Sequence, residues 1–169
     1  MESVSRHNRS LIKGHPQALL WFMGLSGSGK STLAQAVEQQ LYCRREAHAY
    51  ILDGDAMRAG LNRDLGFTPE ARAENVRRTG EVARLFFDAG LIVIAALISP
   101  FCADRGAVRA LLPEGAFFEI YVRCPLDLCE QRDPKGLYRK ARAGRLADFT
   151  GVASPYEDPL NPELVVDNS

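Results

Sequence analysis

A glycine-rich segment near the N-terminus carries the residues best suited to bind phosphate. Residues 24–31 read GLSGSGKS, which matches the pattern G-x-x-x-x-G-K-[ST]. Glycines let the backbone wrap closely around phosphate oxygens, because no Cβ blocks the required dihedral angles. An apolar run precedes the segment and a helical pattern follows it, so backbone N–H groups and a helix N-terminus would face the anion. This phosphate-binding loop predicts a site for ATP or GTP with Mg²⁺.

Each residue of the loop has a predicted role. The Lys30 ammonium would reach the β- and γ-phosphates, and the Ser31 hydroxyl would ligate Mg²⁺. The residues predicted to hold the nucleotide are Gly24, Leu25, Ser26, Gly27, Ser28, Gly29, Lys30, Ser31 and Thr32.

Two carboxylates follow the second apolar run, in the sequence LDGD. In open α/β sheets, ligands bind at the carboxyl ends of the strands. Asp55 is the candidate to orient or deprotonate an acceptor hydroxyl, and Asp53 is the candidate to hold Mg²⁺ through water. The alternative is that these acids only cap the helix that follows them.

A second cluster of charge lies in RDPKGLYRKARAGR, residues 132–145, which holds six basic residues and one acid. The whole chain has 21 Lys+Arg and 21 Asp+Glu, and this neutral total argues against a general nucleic-acid binder. The segment is either the solvated face of a helix or a basic lid that closes over transferred phosphate. Gly136 and Gly144 bracket it as bending points.

Three classes of nucleotide-binding protein compete. A GTPase switch would need a guanine-reading NKxD-type segment, and the sequence has none. A motor or nucleic-acid ATPase normally needs a longer chain than 169 residues. A small-molecule kinase needs a phosphate-binding loop, a carboxylate, an acceptor pocket and a lid that excludes water. The sequence favours the kinase.

Apolar runs and helical patterns alternate along the chain. This alternation predicts an α/β fold with a five-stranded parallel sheet and helices on both faces. The predicted strands are 18–24, 47–55, 91–97, 116–123 and 162–168, and the predicted helices are 30–45, 68–90, 102–113 and 125–132. Residues 1–17 are predicted to be a flexible lead-in, and residues 18–169 one kinase domain with a lid at about 132–150.

The cysteines and the apolar runs indicate the compartment. The four cysteines show neither a CxxC pair nor zinc-like spacing, so buried thiols are expected. No secretory signal is visible, and the longest apolar run, from Leu91, is about half of what a bilayer requires. A cytoplasmic protein without a membrane segment is expected.

Several separate motifs resemble those of the adenylyl-sulfate kinase (APS kinase) family. They are GLSGSGKST (24–32), LDGDAMRAGLNRDLGF (52–67), ENVRRTGEVARLFFDAG (74–90), ISP (98–100), CEQRDPKGLYRKARAG (129–144) and FTGVASPYEDP (149–159). The resemblance implies a P-loop NTPase fold with a basic lid. It also implies transfer of the ATP γ-phosphoryl to the 3′-hydroxyl of adenosine 5′-phosphosulfate (APS) in sulfate assimilation, giving 3′-phosphoadenylyl sulfate. A homodimer, and a sulfurylase as fusion or partner, are further expectations.

The resemblance also implies the site residues. Arg132 and Arg139 match positions near ATP. Those matched to APS binding are Asp55, Arg58, Asn62, Phe67, Arg72, Asn75, Ile98, Ser99, Lys135, Leu137 and Phe149. The family uses an aromatic pair, here Phe67 and Phe149, to sandwich the adenine, whereas the residues alone favour core phenylalanines.

Three points stay open at the sequence level. Ser99 matches a position assigned as a phosphoserine intermediate, and its alternative role is hydrogen bonding to the substrate. The alternative functions are a related kinase acting on another nucleotide or small hydroxyl compound, and an ATP-binding module without catalysis. Cys102 stands where the family usually has arginine, and the family continues past the last strand with a further helix.

Overall fold

The computed structural model describes residues 4–169 and is built around one parallel sheet. Its strands are β1 (Ala18–Met23), β2 (Ala49–Asp53), β3 (Ile92–Ala96), β4 (Phe117–Arg123) and β5 (Leu164–Asp167). They lie in the order β2-β3-β1-β4-β5, and every neighbouring pair is parallel. The predicted five-stranded parallel sheet is therefore confirmed.

Helices connect the strands and cover the sheet. Within residues 4–169 they are α1 (Arg6–Lys13), α2 (Lys30–Arg45), α3 (Gly54–Ala59), α4 (Pro69–Asp88), α5 (Cys102–Arg109), α6 (Leu126–Arg132) and α7 (Leu137–Arg142). None of them combines the length and the apolarity that crossing a membrane would require.

The two faces of the sheet form separate parts of the core. Alternate residues of a strand point to opposite faces. In β1, Trp21 packs on one face with residues of α4 and α5, among them Val76 and Val108. Phe22 packs on the other face with Ala34 of α2. Helices thus lie on both faces, as predicted.

The long helix α4 begins and ends where the sequence predicts. The Thr68 hydroxyl accepts a hydrogen bond from the Ala71 N–H at 3.3 Å, and Pro69 occupies the first helical turn. Gly90, with a φ of 91°, directs the chain away from the helix and into β3. This helix positions Arg72 and Asn75 near the carboxyl ends of the strands.

The N-terminal segment differs from the expected flexible lead-in. Residues 1–3 lie outside the described residues, but helix α1 follows them and begins at the Ser5 cap. Arg9 pairs with Asp88 at the end of α4, and Arg6 lies 5.2 Å from the centre of the Phe87 ring. No α1 residue is buried, so hydrophobic periodicity had little to reveal.

Candidate active site

A cleft of about 790 Å³ opens at the carboxyl ends of the strands. Most of the predicted site residues line it, although they come from distant parts of the chain. From the phosphate-binding loop and its helix these are Ser26, Gly27, Gly29, Lys30, Ser31 and Thr32. The others are Asp53, Asp55, Arg58, Phe67, Arg72, Asn75, Ile98, Ser99, Arg132, Lys135, Leu137 and Phe149.

Five predicted residues do not line the cleft. Leu25 packs against the core cluster that contains Tyr138 and Phe149, and Ser28 is fully buried. Arg139 is exposed, with its N–H donating to Asp133 Oδ2 at 3.1 Å. Gly24 packs against β4, where an added Cβ would lie 2.5 Å from the Val122 carbonyl oxygen. Its φ of 142° and this close approach explain why only glycine fits there.

Asn62 is the fifth of these residues, and it is fully buried. Its side-chain amide donates to Asn75 Oδ1 at 3.0 Å, and Asn75 lines the cleft. The family resemblance implies a direct contact between Asn62 and the substrate. In the structure it orients the residue that faces the cleft.

Lys30 is a buried cation that folds back onto its own loop. Its ammonium donates to the Leu25 carbonyl at 2.6 Å and lies 3.4 Å from the Ser28 hydroxyl. Burial lowers the pKa of Lys30 to about 8. Phosphate oxygens entering the loop would restore a strong partner for this ammonium.

Ser31 and the LDGD acids form one connected group. The Ser31 hydroxyl donates to Asp53 Oδ2 at 2.7 Å, and Asp53 Oδ1 accepts the Asp55 N–H at 2.9 Å. Asp53 therefore caps α3 and reaches the phosphate-binding loop at the same time. The sequence leaves helix capping and Mg²⁺ binding as alternatives for Asp53, and its position in the structure is compatible with both.

The segment 132–150 lines one side of the cleft and contacts two other elements of it. Lys135 forms an ion pair with Asp55. The Tyr138 hydroxyl donates to the Ser26 carbonyl at 3.0 Å. The exposed Lys140 and Arg145 face solvent, and Arg142 pairs with Glu130 on α6. The basic segment is thus divided between a cleft-facing part and a solvated face.

Ser99 is held tightly at the end of β3. Its hydroxyl accepts a hydrogen bond from Trp21 Nε1 at 3.0 Å, and its carbonyl accepts one from Arg105 Nη1 at 2.7 Å. Ser99 is 2% exposed and has a φ of 45°, a left-handed conformation unusual for serine. Arg105 also pairs with Glu119 inside the protein, which fixes this turn to β4.

Two arginines lie against Phe67. The guanidinium carbons of Arg58 and Arg72 are 4.7 Å and 5.4 Å from the ring centre. Arg58 donates to the Gly66 carbonyl at 3.0 Å, and Arg72 donates to the Phe67 carbonyl at 3.0 Å. Burial lowers the pKa of Arg72 to about 10, so it remains a cation at neutral pH. This corner of the cleft offers a flat ring and positive charge together.

Phe149 meets the same cleft from the other side. It is 1% exposed, and its ring packs edge-on against Tyr138 with centroids 5.0 Å apart. It therefore belongs to the small core under α7 and also lines the cleft. The core interpretation and the binding interpretation do not exclude each other here.

Comparison with known proteins identifies the family. A family model described as adenylylsulphate kinase matches residues 16–167. The chain belongs to the adenylylsulphate kinase family. A probable adenylyl-sulfate kinase of Bacillus subtilis (strain 168) is 57% identical over 166 residues, which cover 98% of this chain and 83% of that protein.

A solved structure and a larger enzyme extend the comparison. The Mycobacterium tuberculosis APS kinase CysC, in complex with AMPPNP and APS, superposes with a TM-score of 0.85 at 48% identity, covering 90% of this chain and 88% of that one. The bifunctional enzyme NodQ of Azospirillum brasilense is 59% identical over 167 residues, which cover 99% of this chain but only 27% of NodQ.

One departure from the family pattern, Cys102, lies at the start of α5. Cys102 does not line the cleft. Its sulfur accepts from Arg105 Nη2 at 2.9 Å, and its N–H donates to Glu157 Oε2 at 2.6 Å. Burial raises the pKa of the Cys102 thiol, so the thiol form predominates at neutral pH.

The sequence left several residues of this family site unassigned. Tyr138 contacts the phosphate-binding loop, and Trp21 contacts Ser99. Asn168 lines the cleft beside Gly29. Trp21 lies in an apolar run, and such a run indicates only a buried strand. Asn168 lay at the end of the last strand, and the rule that ligands meet strand ends could have indicated it.

Proposed function

We propose that this protein transfers the γ-phosphoryl group of ATP to the 3′-hydroxyl of adenosine 5′-phosphosulfate. The observation that carries the proposal is a single cleft that joins a phosphate-binding loop, the Asp53–Asp55 pair and the Arg58–Arg72–Phe67 corner. The phosphate-binding loop would hold the phosphoryl donor, ATP. The Arg58–Arg72–Phe67 corner would hold a phosphoryl acceptor that is both aromatic and anionic. Membership of the adenylylsulphate kinase family supports the same assignment.

The acceptor corner suits APS because that molecule combines a flat base with a phosphosulfate. The adenine would stack between Phe67 and Phe149, which line the cleft from different elements. Arg58 and Arg72 would then exchange their loop carbonyl partners for the phosphosulfate oxygens, since charge-assisted hydrogen bonds are the stronger ones.

Asp55 would act on the acceptor hydroxyl. Asp55 is paired with Lys135, and an acceptor hydroxyl bound at Asp55 would take the place of that ammonium. Asp55 would then accept the 3′-hydroxyl proton while the oxygen bonds to the γ-phosphorus. The bond from that phosphorus to the β,γ-bridging oxygen breaks, and ADP leaves. Lys30 would stabilise the charge on the transferred group.

The residues present fit a magnesium ion. Ser31 Oγ and Asp53 Oδ2 lie 2.7 Å apart at the cleft, and both are the oxygen donors that Mg²⁺ prefers. Mg²⁺ is usually held by one or two protein oxygens together with phosphate and water. When bound, it would neutralise charge on the β- and γ-phosphates. Ser31 and Asp53 would hold it, with Asp53 acting through water.

Ser99 would hydrogen-bond to the substrate and would not carry the phosphoryl group. Its hydroxyl oxygen already accepts from Trp21, and within residues 4–169 no base contacts it to remove its proton. Its remaining O–H is free to donate into the cleft. Direct transfer needs no covalent carrier.

The proposal is tested with purified protein, MgATP and APS. We expect ATP-dependent formation of 3′-phosphoadenylyl sulfate, which chromatography measures. The rate of this formation should fall by several orders of magnitude in Lys30→Ala. Adenosine 5′-monophosphate and a panel of small hydroxyl compounds serve as competing acceptors. Faster turnover on any of them, or no product from APS, would overturn the assignment.

We also propose partners and a cellular location for this protein. The match to a quarter of NodQ supports a second enzyme working with this domain, and we propose a sulfurylase. We further propose a homodimer and a cytoplasmic location, in keeping with free thiols at Cys43, Cys102, Cys124 and Cys129. Sedimentation of the purified protein tests the homodimer.

A further inference from the structure

The end of the last strand brings an amide side chain to the phosphate-binding loop. Asn168 follows β5, and its backbone N–H donates to the Arg123 carbonyl at 2.9 Å, which extends the pairing with β4. Its side-chain Nδ2 donates to the Ser28 carbonyl at 2.8 Å. The two residues are 140 positions apart in the chain, and the folding of β5 into the sheet brings them together.

This hydrogen bond fixes the orientation of a peptide group. In a trans peptide the C=O of one residue and the N–H of the next point in opposite directions. Holding the Ser28 carbonyl on the Asn168 side therefore turns the Gly29 N–H to the other side. Among residues 4–169, the N–H groups of Gly27 and Gly29 donate to no acceptor, and both residues line the cleft.

The loop needs such an external constraint at this point. Gly29 has a φ of 96°, and a residue without a Cβ has easy access to other conformations. A rotated Ser28–Gly29 peptide would present a carbonyl oxygen to the nucleotide phosphates in place of an N–H. The approach is close, since a Cβ added to Gly29 would lie 2.5 Å from Asn168 Nδ2.

We propose that Asn168 is a positioning residue for the phosphate-binding loop, holding the Ser28–Gly29 peptide so that the Gly29 N–H faces the nucleotide phosphates. The inference rests on the proposed function only for the identity of the nucleotide, ATP. It assigns to Asn168 a role exerted through the loop backbone.

The affinity for MgATP, measured without APS, tests this role of Asn168. Asn168→Leu keeps the approximate shape of the side chain and removes the donor, whereas Asn168→Gln keeps an amide on a longer stem. Calorimetric titration of MgATP should show about tenfold weaker binding for Asn168→Leu, the loss expected for one hydrogen bond to a bound loop. Asn168→Gln should recover at least part of it. Ser169→Ala is the matched control and should bind as the unmodified protein does.

A second probe distinguishes an effect of Asn168 on phosphate binding from an effect on the binding of the nucleobase. Magnesium tripolyphosphate occupies a phosphate site but carries no base. Asn168→Leu should weaken its binding by the same factor as that of MgATP. If only MgATP weakens, Asn168 acts on the base and the proposal is overturned, as it is if Asn168→Leu binds both probes normally.

Steady-state kinetics give an independent readout. The KM for ATP should rise about tenfold in Asn168→Leu, and the KM for APS should stay within about twofold. An equal rise in both would contradict a role at the loop. Asn168→Ala and thermal unfolding of each variant guard against misfolding. Absence of APS turnover in the unmodified protein would refute the proposed function and leave the two binding titrations valid.

Discussion

Lys30 carries a charge in a buried site, and this makes nucleotide binding depend on pH. Its pKa is lowered to about 8 by burial, and phosphate oxygens beside the ammonium would raise it. Binding above pH 8 must therefore take up a proton. We expect full MgATP affinity below pH 8 and a progressive loss as the pH rises above it.

Calorimetry in buffers with different ionisation enthalpies measures this proton uptake directly. Lys30→Arg supplies a control, because a guanidinium stays protonated throughout this range. Its affinity, whatever its level, should not change between pH 7 and 9. An unmodified protein with equal affinity across that range would show that the Lys30 pKa is not lowered.

The Asp55 carboxylate should matter for turnover more than for ATP binding. Asp55→Asn removes the base and weakens the pairing with Lys135, so kcat should fall by at least about a hundredfold. MgATP affinity should stay within about threefold, since the loop is untouched. Asp64→Asn is a suitable control, as Asp64 pairs with Arg78 outside the cleft. Near-normal turnover in Asp55→Asn would remove Asp55 from the mechanism.

The short helix α7 is linked to the phosphate-binding loop through one hydroxyl group. Tyr138→Phe keeps the ring against Phe149 and removes the hydrogen bond to the Ser26 carbonyl. We expect the KM for ATP to rise by about threefold to tenfold, with little change in thermal stability. Tyr121→Phe, which loses a hydroxyl bonded to Asp158, should leave the KM unchanged. Equal effects in the two variants would contradict a specific link.

Most elements could be predicted from the sequence, including the seven-residue α6 and the four-residue β5, whereas α1, α3 and α7 could not. Helix α2 has the predicted bounds, 30–45, because its apolar residues recur at helical spacing. Helix α1 was missed, since it buries no side chain, and α3 and α7 are only six residues each. Periodicity needs length and a buried face to be visible.

The same limit applies to the candidate site. Asp53 and Asp55 could be predicted because strand ends collect ligand-binding residues. The contacts of Trp21, Tyr138 and Asn168 span 78, 112 and 140 positions, and no local pattern encodes them. The placement of Asn62 behind Asn75 likewise depends on packing between distant elements.

At the scale of the whole molecule, the covering helices α4 and α5 meet at a glycine. A Cβ on Gly80 would lie 2.6 Å from Val108 Cγ2, on a stiff β-branched side chain. Gly80→Ala gains about 1 kcal/mol of helix propensity but overpacks the contact at a cost of about 1–3 kcal/mol. We expect a net loss in the free energy of unfolding, measured by urea denaturation.

A double-mutant cycle isolates this contact. In a Val108→Ala background the added methyl group has room, so Gly80→Ala should no longer destabilise the protein. Gly106→Ala is the control, because its Cβ would meet nothing within 4 Å, and it should raise stability by up to about 1 kcal/mol. An equal loss from Gly80→Ala in both backgrounds would rule out overpacking against Val108.

The strand order has a consequence for the path of the reaction. β1 and its phosphate-binding loop lie at the centre of the sheet. Asp55 and Ser99 follow β2 and β3 on one side, while Arg132 and Asn168 follow β4 and β5 on the other. In-line phosphoryl transfer requires the attacking and leaving oxygens to approach the phosphorus from opposite directions. A sheet with β1 in the middle supplies those two directions, so the line of attack would run across the strands and pass over the loop.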